Sequence, residues 1–262
     1  MTKRALTYAS YLRIDDLLAL QEPRTGGAEH DELLFIVIHQ VYELWFRQLL
    51  HEAAYLQASL DGGDAAQALA TMERILTILK TVVAQVDVIE TMTPLSFAGF
   101  RGRLDAASGF QSAQFREWEA VLGRRARDVL DDHPPGPPRA RIEAALARPS
   151  LYDALLRFLA RAGSPVPAAV LERDVRLPYE PSAAVEEALL AVHRTRGLPA
   201  LLCERFVDLD EGVQEWRYRH LKMVERTIGS RPGTGRAAGA AYLATTLGRP
   251  VFPELWTLRA LL

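Results

Sequence analysis

The segment from Leu33 to Leu49 constrains the fold most, because it is apolar around most of its circumference when it forms a helix. One stripe at helical spacing consists of Leu34, Val37, Ile38, Val41, Trp45 and Leu49 and is predicted to face a core. A helix of this kind belongs in the centre of a larger helical protein.

Helical periodicity also dominates the rest of the chain. Long helices are predicted over 31–60, 65–91, 151–162, 183–193 and 199–228, and shorter ones over 12–20 and 253–261. No succession of short alternating segments bounded by turn residues indicates a sheet. We therefore predict an all-α bundle of about ten or more helices.

Glycine, proline and serine interrupt this pattern at 26–27, 62–63, 133–138, 164–165 and 230–240. The proline-rich run 133–138 is predicted to be a surface connection. If it separated two domains, the residues of one candidate site would be divided between them. We therefore expect residues 1–262 to form a single domain.

Charge and cysteine content limit the class of function. The 31 Lys and Arg residues nearly balance the 33 Asp and Glu residues, giving a net charge of -2, so we expect neither a nucleic-acid nor a membrane partner. The single cysteine, Cys203, excludes an internal disulfide and a Cys-x-x-Cys-His heme attachment and favours a reducing compartment. The first eleven residues lack an apolar targeting region, and no apolar run reaches the roughly 18 residues of a spanning helix. We expect a cytoplasmic protein.

A histidine lies in an aromatic row beside the first stripe of the segment Leu33–Leu49. The row consists of Phe35, His39, Tyr42 and Phe46. A core histidine bonded to a backbone carbonyl is the commoner explanation of such a pattern, and a functional histidine is the alternative. Glu43 and Arg47 form an i,i+4 pair that a solvated face explains.

His220 lies on a second apolar stripe, which consists of Val213, Trp216, His220, Val224 and Thr227. The other faces of this helix carry Arg217, Arg219, Lys222 and Arg226 and are predicted to be polar surface. A neutral imidazole held by packing suits a single bond to a metal, and a core histidine is an equally good explanation. No His-Glu-x-x-His motif or cysteine cluster indicates zinc, so a metal here would be heme iron.

Two further segments contain candidate binding residues. Thr93 and Pro94 begin a short predicted helix that ends near Arg101, whose guanidinium suits a carboxylate ligand, although most arginines are surface residues. The segment 231–236 is predicted to be a loop between helices, in which Thr234 could close over a pocket. It lacks the phosphate-loop pattern and no strand precedes it, which excludes a nucleotide site.

Ordered motifs connect these features. They are Leu6-Thr7-Tyr8 with Tyr11-Leu12, the runs His30 to Gln40 and Tyr42 to Phe46, Thr93-Pro94, Gly99-Phe100-Arg101, Ser108-Gly109-Phe110-Gln111-Ser112, Pro149-Ser150-Leu151-Tyr152, Trp216 to His220, and Gly233-Thr234-Gly235. Together they resemble the tryptophan 2,3-dioxygenase family over nearly the whole chain.

The resemblance implies an all-α fold that binds heme b and uses O2, with His220 as the axial iron ligand and Ser108 near the heme. It implies a catalytic His39 beside the indole nitrogen of the substrate and Arg101 on its carboxylate. The remaining implied substrate contacts are Phe35 and Phe97 around the indole, Thr234 at the amino-acid end, and Tyr8 and Tyr11 in trans. Family members are homotetramers, so the segment 1–25 is expected to pack on a neighbouring subunit.

The implied reaction adds both atoms of O2 across the indole C2–C3 bond of L-tryptophan and gives N-formylkynurenine. The family usually continues Gly-Thr-Gly with Gly-Ser-Ser-Gly, whereas this chain has Arg236-Ala237-Ala238-Gly239. That departure keeps one alternative open, a heme-dependent monooxygenase acting on a substituted tryptophan, such as β-methyltryptophan to an oxindole. A helical binding scaffold without catalytic activity is a second, separate alternative.

Overall fold

The computed structural model describes residues 5–233 and 239–262, and these residues contain α-helices, short 3-10 turns and no strand. The α-helices are α1 (Tyr8–Leu12), α2 (Ile14–Leu18), α3 (His30–Asp61), α4 (Ala65–Ile89), α5 (Pro94–Arg101), α6 (Ala113–Leu122), α7 (Pro137–Leu146), α8 (Leu151–Arg161), α9 (Ala168–Leu171), α10 (Ala183–Thr195), α11 (Leu198–Ile228), α12 (Gly239–Ala244) and α13 (Pro253–Thr257). The prediction of an all-α fold is confirmed.

The predicted long helices agree with the structure to within two residues at each end, and two other predictions need correction. The helix predicted over 12–20 is instead α1 followed by α2, because Arg13 adopts a left-handed conformation (φ 53°) that interrupts the helix. The run 133–138 is a connection only as far as Gly136, because Pro137 begins α7, where its fixed φ suits the first helical position.

Helix α4 lies between the two longest helices, α3 and α11, and packs against both. Its buried residues recur every three or four positions and include Met72, Ile75, Leu79, Val82, Val86 and Ile89. Gly212 lets α11 come close to α4, since a Cβ at that position would lie 2.7 Å from Cδ2 of Leu79. The helices that carry His39 and His220 are therefore positioned by the same partner.

Helix α3 also packs against α6 and α8. It is the one described helix that is long and apolar enough to cross a membrane by length and composition, a test that core helices of soluble proteins also pass. Its predicted core stripe is wrong at Val37, which is 39% exposed, whereas Ile38 and Leu49 are buried. The neighbouring helices in a single chain therefore do not cover the whole apolar surface of α3.

Two buried carboxylates hold the C-terminal segment. Oδ2 of Asp210 on α11 accepts hydrogen bonds from the backbone N–H groups of Val251 and Phe252, at 2.7 and 2.9 Å, and from Nε1 of Trp256 at 2.9 Å. Glu254 accepts hydrogen bonds from the hydroxyls of Tyr152 and Tyr179. These bonds attach the end of the chain to α8 and α11 through ionic acceptors that are inaccessible to solvent.

Asp210→Ala is expected to lower the free energy of unfolding by about 3–5 kcal/mol, because four donors, those of Val251, Phe252, Trp256 and Gln214, lose a buried charged acceptor. Asp210→Asn keeps one acceptor oxygen and should cost less. The matched control is Asp208→Ala, which removes a partly exposed carboxylate paired with Arg205 and should cost less than about 1 kcal/mol. Urea denaturation measures all three, and equal losses for Asp210→Ala and Asp208→Ala would contradict the assignment.

Candidate active site

Helices α3, α4, α6 and α11 enclose a cavity, together with residues of the 109–112 turn and of α12. His39 and His220, on the two long helices, both line this cavity. Its wall is aromatic on one side, where Phe46, Phe115 and Trp216 lie, and charged at one end. The structure thus brings the two predicted histidines together.

The ring of His39 is fixed by its own helix. Nδ1 lies 2.7 Å from the backbone carbonyl oxygen of Phe35, one turn earlier. Because a carbonyl can only accept a hydrogen bond, Nδ1 carries the proton and Nε2 carries the lone pair. Burial lowers the pKa of His39 below its usual range, against the smaller opposing effects of the Phe35 hydrogen bond and of the Glu43 charge, so the ring is neutral at neutral pH.

His220 differs from His39 in its hydrogen bonding. Its ring stacks on Trp216, with centroids 5.0 Å apart, and its buried Nδ1 has no partner among the described residues. Burial, helped by the charge effects of His39 and Arg116, lowers the pKa of His220 to about 4. The ring is therefore a neutral base, and no strong hydrogen bond competes for its nitrogens.

The described residues contain no group of three or more His, Cys, Asp or Glu side chains that would hold a metal ion unaided. A metal at this cavity would have to bring most of its own ligands. That condition is met by an iron ion that is already held in a macrocycle and needs a single axial imidazole.

Aromatic side chains next to His39 form a separate small cluster. The ring of Phe35 lies 4.1 Å from that of His39 and 5.8 Å from that of Phe97, and Phe100 completes the group. Phe35 and Phe97, which are both predicted substrate contacts, are thus neighbours of His39. Both pack in an apolar cluster with Ile38, Ile89 and Met223, of which Ile89 and Met223 also line the cavity.

Arg101 connects α5 to the segment that follows α11. Its guanidinium donates a hydrogen bond to the backbone carbonyl of Pro232. The predicted contact residue Thr234 lies two positions later, outside the described residues, as do Gly235, Arg236, Ala237 and Ala238. The described part of the chain therefore places Arg101 at the edge of this segment.

The other predicted site residues lie on turns and on the N-terminal helices. Ser108 caps the 3-10 turn 109–111, whose residues Gly109 and Phe110 line the cavity. Tyr8 and Tyr11 on α1 are 77% and 72% exposed and do not line the cavity of their own chain. A single chain therefore leaves both tyrosines away from the site.

Sequence reasoning missed the charged end of the cavity. Arg217 is predicted on polar surface but lines the cavity, where burial lowers its pKa. Glu43, predicted on a solvated face, also lines it and accepts a 2.8 Å hydrogen bond from Nε2 of Gln114. The i,i+3 spacing of Arg217 and His220 was a signal that they share a face. For Arg116, Glu119 and Arg124, no sequence signal distinguished them from surface charges.

These observations define an all-α protein with an aromatic cavity that is lined by two neutral histidines, one from each of its two long helices. The family model described as tryptophan 2,3-dioxygenase matches residues 1–132 and 193–262. A protein named tryptophan 2,3-dioxygenase from Anaeromyxobacter sp. (strain K) is 64% identical over 259 residues, covering 98% of this chain and 97% of the relative. Proteins of the same name from Herpetosiphon aurantiacus and Caulobacter vibrioides are 56% and 45% identical, over 98% and 97% of this chain and 98% and 97% of their own.

The chain therefore belongs to the tryptophan 2,3-dioxygenase family, a family of oxidoreductases.

Proposed function

We propose that this protein is a heme-dependent tryptophan 2,3-dioxygenase, which cleaves the indole C2–C3 bond of L-tryptophan with O2 and releases N-formylkynurenine. The observation that carries the proposal is the pair of neutral histidines, His39 and His220, that face one cavity from two helices packed on α4. Burial lowers the pKa of both rings, so each is neutral and has one nitrogen lone pair available.

His220 is the residue that would hold heme b. Its buried Nδ1 lacks a partner and it stacks on Trp216, whereas Nδ1 of His39 is already bonded to the Phe35 carbonyl. A ring that is positioned by stacking and free of hydrogen bonds suits an axial ligand. When bound, heme supplies the ferrous centre that activates O2. Ser108 caps the 109–111 turn, whose residues Gly109 and Phe110 line the cavity, and would be near the heme.

His39 is the catalytic residue next to the substrate. With its proton held at Nδ1, it offers Nε2 as an acceptor for the indole N–H. Burial keeps the ring uncharged, so an indole can approach without desolvating a cation. Phe35 and Phe97 would contact the indole ring from the adjacent aromatic cluster.

Arg101 would bind the carboxylate of the amino acid. A guanidinium keeps its charge at any working pH and can hold a carboxylate with two parallel bonds. Its contact with Pro232 places it at the start of the segment that contains Thr234, the proposed contact at the amino-acid end. Fixing both ends of the substrate orients the indole against His39.

The proposal extends to assembly and location. Residues 1–262 would form one heme-binding domain, cytoplasmic and homotetrameric, with 1–25 packed on a neighbouring subunit and Tyr8 and Tyr11 completing its pocket. The exposure of apolar residues in and beside α1 and α2 supports this packing; they include Leu6, Tyr8, Tyr11, Leu12, Leu18 and Leu20.

The relationship to proteins named tryptophan 2,3-dioxygenase, at 64% identity over 259 residues, favours this activity over the two alternatives. A monooxygenase acting on a substituted tryptophan was suggested by Arg236-Ala237-Ala238, which lie outside the described residues. A binding scaffold would need neither neutral histidine.

The direct test is turnover of L-tryptophan by the ferrous, heme-loaded protein under 18O2. Mass analysis should show a product that contains both labelled oxygen atoms, with the mass of N-formylkynurenine. One labelled atom would replace the proposal by the monooxygenase, and an absence of porphyrin binding would favour the scaffold.

Substitutions of the two histidines should have different effects on heme and substrate binding. His220→Ala is expected to abolish stable heme binding, because the other histidine of the cavity, His39, is held by the Phe35 carbonyl of its own helix and is proposed to face the substrate. His39→Ala should retain heme but lose preference for L-tryptophan over 1-methyltryptophan by roughly tenfold, the value of one hydrogen bond. Absorbance titration measures both quantities. Equal heme loss in both variants would mean that their roles are reversed.

Arg101→Ala is expected to weaken binding of L-tryptophan much more than binding of tryptamine, which lacks the carboxylate. The expected change in their affinity ratio is roughly tenfold or more, as for a charge-assisted pair. The matched control is Arg103→Ala, two residues later and exposed. An unchanged ratio in Arg101→Ala would remove the carboxylate role.

A further inference from the structure

Three arginines and one glutamate form the charged end of the cavity; we call them the arginine cluster. Nη1 of Arg116 donates to Oε2 of Glu119 at 2.7 Å, and Nη1 of Arg124 donates to Oε1 at 2.8 Å. Nη2 of Arg217 lies 3.6 Å from the same Oε1. One carboxylate is thus shared by three guanidinium groups.

These charges are shielded from solvent. The side chains of Arg116, Glu119 and Arg217 are 7%, 6% and 13% exposed, and that of Arg124 is 29% exposed. A buried charge is costly unless an opposite charge compensates it, and arginine cannot discharge itself by losing a proton. The cluster therefore needs more negative charge than Glu119 supplies.

The arginine cluster has a net positive charge. Three guanidinium groups and one carboxylate leave an excess of two positive charges within the cluster. Asp210 acts electrostatically on Arg217 but does not line the cavity, and its carboxylate is already bonded to the C-terminal segment. The other carboxylate that lines the cavity, Glu43, accepts a hydrogen bond from Gln114 and acts electrostatically on His39, and it forms no ion pair with the cluster among the described residues. Tyr242 adds only a hydroxyl, which accepts from Arg124.

The guanidinium groups of the cluster also have N–H donors that form no hydrogen bond among the described residues. Arg116 forms one hydrogen bond, to Glu119, and Arg217 forms none among the described residues, although each guanidinium has five N–H groups. All four members of the cluster line the cavity, so a ligand there can reach these donors.

The cluster lies at the end of the aromatic wall beside His220. Arg217 follows Trp216, which stacks on His220, and Arg116 follows Phe115, whose ring is 4.8 Å from that of Trp216. The positive charge of Arg116 acts electrostatically on His220. Behind Glu119, Arg124 and Arg217 lies a second cavity of about 490 Å³, which shares these three residues with the first. The charged end is therefore also the end nearest this second cavity.

We infer that the arginine cluster binds the two propionate groups of heme, whose two negative charges balance the excess of two positive charges. This inference rests on the proposed function and assigns residues that sequence reasoning missed. The substrate carboxylate is the other anion that the site would receive, and Arg101, which does not line this cavity, is the residue proposed for it.

The test compares hemin with hemin dimethyl ester, in which both propionates are esterified and uncharged. Heme-free full-length protein is titrated with each porphyrin, and the ratio of the two dissociation constants is measured. The wild-type protein should prefer hemin by roughly a hundredfold, from two charge-assisted contacts at roughly tenfold each. Arg116→Gln and Arg217→Gln should each lower the ratio by roughly tenfold, while affinity for the ester changes little.

Two controls separate this effect from damage to the fold. Arg249→Gln changes an exposed arginine that lines only the second cavity and should leave the ratio unchanged. Glu119→Gln removes the negative charge of the cluster and should raise the ratio. A variant that merely unfolds loses both porphyrins alike and keeps the ratio.

The outcomes are distinct. A wild-type ratio near one would overturn the inference and leave the proposed heme function standing. Failure of the wild-type protein to bind either porphyrin would overturn both. If Arg217→Gln leaves the ratio unchanged and instead weakens L-tryptophan relative to tryptamine, the cluster binds the substrate carboxylate and the inference is wrong.

Discussion

The packing of α3 and α11 on the apolar ridge of α4 is the constraint on which the site depends. His39 and His220 lie 181 positions apart in the chain and come to one cavity because their helices share this partner. The fit is close, since a Cβ at Gly212 would overlap the side chain of Leu79. A larger residue at Gly212 would therefore displace the helix that carries His220 without touching the cavity, because close-packed interiors transmit such strain.

Burial has opposite consequences for the two kinds of base in this cavity. Imidazoles respond by losing their protons, so His39 and His220 become neutral and present lone pairs. Guanidinium groups cannot respond in this way at any working pH, and the arginine cluster keeps its positive charge. One physical cause, desolvation, thus divides the cavity into a neutral region with two bases and a cationic end that requires an anion. An amphipathic planar ligand with acidic groups on one edge matches that division.

Much of the fold could be predicted from the sequence, because long helices carry a periodic apolar signal that their neighbours reinforce. The ends of α3, α4, α8, α10 and α11 follow from that signal and from their capping and proline residues. The break at Arg13 could not be predicted, since nothing in its residue type indicates a left-handed backbone. The positions of His39 and His220 follow from their stripes, but Arg217 and Glu43 were assigned to solvent because a charge on a helix is normally solvated. Their position on the cavity depends on how the helices pack against one another, which the sequence pattern does not show.

Charged side chains also hold the residues on either side of the segment between α11 and α12, at the edge of the site. On one side the carbonyl of Pro232 accepts from Arg101, and on the other the hydroxyl of Tyr242 accepts from Arg124 while its ring packs on Phe110. Further along, the backbone of Val251 is held by Asp210, ten residues before His220 on α11 and thus about 15 Å away along the helix. The residues that flank the segment are therefore positioned by hydrogen bonds to ionic side chains as well as by packing, since Gly239 and Leu243 of α12 are buried. Arg124 belongs to the arginine cluster, and Arg101 is the proposed carboxylate ligand. Replacing either arginine by a neutral residue would therefore also weaken a hydrogen bond that holds one flank of the segment between α11 and α12.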